Sequence, residues 1–373
     1  MWRPGGGTCV DVGANSLGVG LSAREASHVG FFDLLVAGDA EAALAVLHTH
    51  LEVWPKDVLV LATAAFTNGL IGSSGRAGQK RALLRLLEKL APSWGDEWWF
   101  TAHHGMALSE NGLRDAARPK IERSLSENPR NPWAAHALAH LCYEEGDVDG
   151  ACAFLSSWLP TYPRTGSLYS HLSWHLALGL LEAADAAAAF RVFREVFAPN
   201  VHSGPPRGKV TDPVSFLWRW ELAGHRRDAD SWREVHDFAS HAFPRPGVAF
   251  SDMHSALAEV VVVRDEAALE ERQRQIDELA RKGRYPSGSL VPAVSRSFAA
   301  FEQGDFSTVV DALEPIIGEL ERIGGSRAQL DLVEFTLLQA YARADRLEEA
   351  RRMLSARRRG SSRLPLAGLA AIH

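Results

Sequence analysis

The sequence predicts an all-α protein whose tetratricopeptide-like helical hairpin repeats form a curved solenoid, and three observations carry that reading. Alternating β-branched runs joined by Asn-Gly turns, which would signal strands, are nearly absent, while apolar residues recur at helical spacing along most of the chain. Four segments then share one pattern: an apolar helix, a glycine, and a second helix with a small or branched residue five places after the glycine. The glycines are Gly38, Gly112, Gly146 and Gly304, and the residues that follow are Ala43, Ala117, Ala151 and Val309. Finally, Gly112 and Gly146 lie 34 residues apart, the tetratricopeptide period.

Each element has a local cause. "FFDLLVAGDAEAALAVLHTHLEVWP" stops at Pro55, "HHGMALSENGLRDAARPKIERSLSENP" at Pro129 and "HALAHLCYEEGDVDGACAFLSSWLPTYP" at Pro163, while "SFAAFEQGDFSTVVDALEPI" begins at Ser297. The glycine adopts a left-handed helix cap without a Cβ clash, and Asp at or near the next position caps the second helix. Small residues let the paired helices approach, and proline ends the second one. "SLYSHLSWHLALGLLEAADAAAAFRVFREVF" fits a further hairpin with Ala184 at the turn, "SFLWRWELAGHRRDADSWREVHDFASHAF" one with Gly224, and "LDLVEFTLLQAYARADRLEEARRMLSARRR" a last one. "EVVVVRDEAALEERQRQIDELARKG" reads as helix throughout.

The domain reading follows. Residues 1–22 form a loose, Gly-rich N-terminal segment, 23–358 a single repeat array, and 359–373 a C-terminal tail. "APNVHSGPPRGKVTDP", residues 198–213, is a loop long enough to divide the array into two subarrays or to be functional.

Composition narrows the function classes. A formal net charge of −6 argues against a partner bound through global positive charge, such as nucleic acid. No apolar run approaches the ~20 residues of a membrane span, and the N-terminal stretch lacks the apolar core of a signal peptide. No membrane partner and a cytoplasmic location are the expectations. Cys9, Cys142 and Cys152 have no C-x-x-C spacing, which suits a reducing compartment. "GLIGSSGRAGQKR" lacks the phosphate-loop spacing and "GVGLSA" follows no strand, so neither supports nucleotide binding. The basic run "ARRMLSARRRGSSR" reads as a solvated helix end.

Several blocks exceed what packing requires: "NPWAAHALAH", Gly150 with Trp158, "HLSWHLAL", "DPVSFLWRWELAG", "FSDMH" and "GGSRAQLDLVE". On these the chain resembles the tetratricopeptide repeat protein 38-like family, from about Ser27 to Arg352. The resemblance implies an α-helical repeat array and only weakly an activity. The chain departs from the family in two places. Its second histidine block reads His171-Leu-Ser-Trp174-His175 where the family resembles H-N-W-W-H, and Arg327 stands where the family's late G-G-S-H motif has histidine.

Repeat register indicates where a site would lie. With Gly146 at the fifteenth position, His136 takes the fifth, His140 the ninth and Tyr143 the twelfth, all facing the inner concave surface. His171 and His175 repeat the H-x-x-x-H spacing about one period later, and residues four apart share a helix face. Imidazole with carboxylate suits metal ligation or acid–base chemistry. The candidate catalytic residues are His136, His140, His175, His254 and Asp252. The candidate ligand-binding residues are Trp133, Tyr143, His171, Trp174, Trp218, Arg219 and Glu221, with Trp220 as a further wall. His103 and His104 fall at packing positions.

Two functions compete. The groove binds a small molecule or peptide, or the same residues act as an enzyme, holding a divalent metal or moving protons on a small buried substrate. "HALAH" lacks the glutamate of H-E-x-x-H, so a zinc-protease mechanism is not supported. The plainer reading keeps the histidines as hydrogen-bonding stiffeners and the tryptophans as core.

Overall fold

Glycine and aspartate punctuation sets the hairpins in a computed structural model that describes residues 20–357 and 364–368. The N-terminal segment, Cys9 and the C-terminal tail singled out in the sequence fall largely outside the described residues. Among those described, eighteen α-helices and no strand occur. They pair as α1 (Ala23–Ala37) with α2 (Ala40–Val53), α5 (Trp98–Glu110) with α6 (Arg114–Glu127), α7 (Pro132–Glu145) with α8 (Val148–Trp158), and α9 (Tyr169–Glu182) with α10 (Ala186–Val192). The second half pairs α11 (Gly208–Leu222) with α12 (Ala229–Ala242), α13 (Ala249–Val262) with α14 (Glu266–Arg281), α15 (Leu290–Glu302) with α16 (Phe306–Leu313), and α17 (Arg327–Arg343) with α18 (Leu347–Ser355). A short α3 (Val58–Ala62) and α4 (Gln79–Trp94) fill the space after the first pair.

The turns have the predicted chemistry. Gly38, Gly112, Gly146 and Gly304 have φ between 71° and 78°. Ala184 takes the same left-handed conformation at φ 63° without being glycine, at the usual cost of a Cβ. Asp39, Asp147 and Asp305 each cap the following helix by accepting a backbone N–H three residues on. Ala43, Ala117 and Val309 are fully buried between paired helices, and Ala151 nearly so.

Two details depart from the sequence reading. The run after Glu259 is not one helix: Val263 turns extended and Asp265 caps a new helix by accepting from Ala267 and Ala268. The loop after Ala198 is shorter than expected, because Gly208–Pro213 already belong to α11, with Pro213 inside its first turns. Proline there gives up the bond its N–H would make to the Lys209 carbonyl, a loss the buried packing of this helix outweighs.

The solenoid curves until the segment before α4 meets the stretch after α16. Gly78 N donates to Glu321 Oε1 at 2.6 Å and Arg322 Nε to Gly75 O at 2.8 Å. Gly75, at φ 71°, lies so close that a Cβ would sit 2.2 Å from Pro286. The inner face is correspondingly filled. Residues on every side of α17 are buried, and α17 reaches back to earlier repeats through Tyr143 to Asp331, Arg219 to the Ala328 carbonyl, and Trp218 Nε1 to Thr336 Oγ1 at 2.8 Å. The face expected to be a groove is thus largely interior beside the histidines.

Candidate metal centre

His136 and His140 project from α7, His171 and His175 from α9, the inner helices of consecutive hairpins. One ligating nitrogen from each of the four lies within 4.8 Å of all the others. His136 Nε2 is 3.0 Å from His140 Nε2 and 3.1 Å from His171 Nε2. His140 and His175 are buried, while His136 and His171 are half-buried.

Two carboxylates stand behind the rings. Asp212, from the first turns of α11, accepts from His171 Nδ1 at 2.9 Å. A carboxylate only accepts, so Nδ1 carries a proton, and in the neutral form of the ring Nε2 is the bare nitrogen. Glu110, at the end of α5, places Oε1 3.3 Å from His140 Nδ1. That approach is electrostatic, since its angle misses hydrogen-bonding geometry and both atoms lack a bonded partner. Glu110 Oε2 takes Lys80 Nζ at 2.8 Å.

The electrostatics favour neutral rings at His136, His140 and His175. Burial holds His136 and His175 well below the ordinary imidazole range, reinforced by their neighbouring histidines. Burial also lowers His140, against the opposing pull of Glu110. Asp212 shows the reverse balance. Burial would raise its carboxyl, but the charges and hydrogen bonds of His171 and His202 win and hold it well below the usual carboxylate range.

Aromatic residues flank the half-buried side. Phe66 packs on Trp133 with centroids 4.3 Å apart and on His103 at 5.0 Å, and Trp133 leads to His136 at 6.3 Å. Trp174 is fully buried and stacks on His171 at 5.1 Å. A cavity of about 20 Å³ lies on the other side, lined by Tyr143, His175 and Cys142, room for about one water.

A tetratricopeptide repeat family model matches residues 108–173. The match runs from the end of α5 to the start of α9, so the chain is similar to tetratricopeptide repeats there. The matched stretch carries His136, His140 and His171, and His175 follows two residues beyond it. Repeat packing explains Gly146 and Ala151; it does not call for four imidazoles.

The other candidate residues are employed elsewhere. Asp252 caps the turn before α13, taking Gly247 N, Val248 N and Tyr285 Oη at 2.7 Å each, and stands outside the four-histidine group. Trp218 is core against Phe298 and Phe301. Glu221 ties its hairpin together through Arg227 and Trp232 Nε1. Arg219 is buried against the faces of Trp174 and Phe335 and bonds Ser215. Tyr143 engages Asp331. His254 donates Nδ1–H to the Phe250 carbonyl at 2.8 Å and leaves a buried Nε2 unpartnered.

The sequence reading missed Glu110, Asp212, His202 and Phe66. Asp212 alone carried a signal, as the first residue of the "DPVSF" block. Its pairing with His171 depends on how successive inner helices superpose. A second group, His28, His50 and Asp57, is closed by its own bonds: Asp57 Oδ2 accepts from Arg24, His28 and His50 at 3.0, 3.2 and 3.1 Å. No helix among the described residues is long and apolar enough to cross a membrane.

Proposed function

We propose that this repeat protein holds a divalent transition-metal ion among His136, His140, His171 and His175, and binds a small molecule there. One observation carries the reading. His171 commits Nδ1–H to Asp212 and turns a bare Nε2 toward His136 Nε2, which stands equally close to His140 Nε2. Whatever protons His136 and His140 carry, at least one of these two close contacts has no hydrogen bond, a repulsion that a central cation converts into two bonds.

The dimensions fit. A tetrahedral ion with bonds of about 2.0 to 2.1 Å places its ligand nitrogens about 3.4 Å apart, between the 3.0 Å closest approach and the 4.8 Å limit of the group. Imidazole sets suit zinc, copper, iron or nickel. Four neutral ligands leave the ion's charge uncompensated, and Asp212 and Glu110 supply the outer carboxylates that orient such histidines and raise their basicity. A small molecule suits the recessed centre better than a peptide, because the inner face is filled. The resemblance to the tetratricopeptide repeat protein 38-like family agrees, since the blocks that carry it include both histidine pairs.

Elemental analysis of the purified chain, followed by zinc titration of metal-stripped protein, tests the reading. Near-stoichiometric metal is expected, lost in His140→Ala and His175→Ala while both keep helical circular dichroism. Wild-type protein that takes up no zinc, copper, iron or nickel would refute it.

A further inference from the structure

On the Asp212 side of the centre lies a cation with no assigned work. Arg207 is half-buried at the entrance to α11. Its strongest perturbation is burial, and Asp212 is the one opposing charge it senses. Among the described residues no carboxylate or carbonyl accepts a hydrogen bond from its guanidinium. A partly desolvated guanidinium without a bidentate partner is costly to keep.

The loop carrying Arg207 is pinned beside the histidine centre at two points, with one further bond inside it that fixes the His202 ring. Ser203 N donates to Ser170 Oγ at 2.8 Å, next to His171 in the chain. Gly204 N donates to His202 Nδ1 at 2.9 Å, which leaves the His202 proton on Nε2, 3.3 Å from Asp212 Oδ2. That oxygen also holds His171. Gly204 and Gly208 close over the His202 ring so tightly that a Cβ on either would come within 2.7 or 2.9 Å of Cε1. The loop is therefore built to stand in one place relative to His171.

Resting on the metal reading above, we propose that the small molecule bound at the centre is a carboxylate-bearing acid, and that Arg207 receives its carboxylate. Planar guanidinium matches a carboxylate two-pronged. His254 adds to this polar surround. Its bare Nε2 is buried, and its environment includes the charges of both Asp212 and Arg207. It accepts a hydrogen from a hydroxyl or amine on the same ligand.

Cobalt(II) serves as the probe metal, because its visible spectrum reports the coordination sphere directly. The cobalt-loaded full chain is titrated with glycolate and with the neutral glycolamide, and the titrations are repeated on Arg207→Gln and Arg207→Lys. Glycolate is expected to bind Arg207→Gln at least about tenfold more weakly than wild type, the scale of a lost charge-assisted bond. Arg207→Lys should fall between them, glycolamide affinity should be unchanged, and the ligand-free cobalt spectrum should match wild type in every variant. A normal spectrum with equal glycolate affinity in wild type and Arg207→Gln overturns this inference and leaves the metal centre standing. So does a normal spectrum with no response to glycolate. A chain that shows no cobalt spectrum and takes up no zinc, copper, iron or nickel overturns both readings.

Discussion

Replacing Asp212 by asparagine tests whether the outer carboxylate tunes the centre. Asp212 Oδ2 takes His171 Nδ1 at 2.9 Å and His202 Nε2 at 3.3 Å, and Oδ1 takes Thr211 Oγ1 at 3.4 Å. The side chain is buried, so solvent screens little of its charge. Asparagine keeps the shape and one acceptor oxygen but removes the negative charge behind His171. Losing such a partner weakens metal affinity by about 10- to 100-fold, or roughly 1.4 to 2.7 kcal/mol. With zinc at about 100 times the wild-type Kd, binding stabilises the wild-type fold by about 2.7 kcal/mol, and the variant by only about 0.4 to 1.4 kcal/mol. Chelator competition gives the affinity, and urea unfolding with and without zinc gives the stabilisation. If Asp212→Asn binds zinc within twofold of wild type, the carboxylate does not act through His171 and the argument fails.

Two further expectations concern the fold alone. Burial pushes the Asp57 carboxyl up, but hydrogen bonds from His28, Arg24 and His50 outweigh it and hold the group at about 2. A depressed carboxyl stabilises the fold above its unfolded value near 3.8 and loses that contribution as pH falls toward 2. Asp57→Asn should therefore cost roughly 2 kcal/mol at neutral pH and flatten the pH dependence of urea unfolding between about pH 4 and 2; an unchanged profile would refute the assignment. At Gly105 in α5 a Cβ would meet Ile121 Cγ1 of α6 at 2.6 Å. Gly105→Ala should lose about 1 to 3 kcal/mol by overpacking, and Ile121→Ala in the same chain should cost less than it does alone; simple additivity would show that the two positions do not clash.

The hairpins were legible because each rests on chemistry local in sequence. Gly146 supplies a left-handed cap, Asp147 the next N-cap and Ala151 a close approach, all within six residues. Where the reading slipped, the deciding feature was equally local but weaker. Asp265 interrupts the helix expected after Glu259, and the loop expected over residues 198–213 ends earlier because α11 begins at Gly208 and runs through Pro213. Site legibility divides differently. Register placed His136 and His140 on the inner face, and the repeat period placed His171 and His175 beside them. Nothing in one repeat foretells that the inner helices close on α17 and bury that face, because closure depends on the summed curvature of many hairpins. For the same reason Trp218 and Arg219 read as pocket residues although α17 covers them, and Glu110 carried no signal.

The architecture itself explains how such a centre arises. His136 and His171 stand 35 residues apart, as do His140 and His175, so the cluster is one H-x-x-x-H pattern written twice at about the repeat period. A single helix with this spacing offers two ligands on one face, too few to hold an ion firmly. Stacking a second copy beside it brings the set to four without any new turn or loop, since the hairpin geometry already superposes equivalent positions. The supporting groups follow from the same stacking: Glu110 comes from the inner helix before the pair and Asp212 from the inner helix after it. Each ligand pair is therefore braced from the outside by a neighbouring repeat, and the ion would join the two central hairpins at the point where like nitrogens otherwise repel. The cost would fall on the metal-free protein, in which at least one of the close Nε2 contacts of His136 has no hydrogen bond.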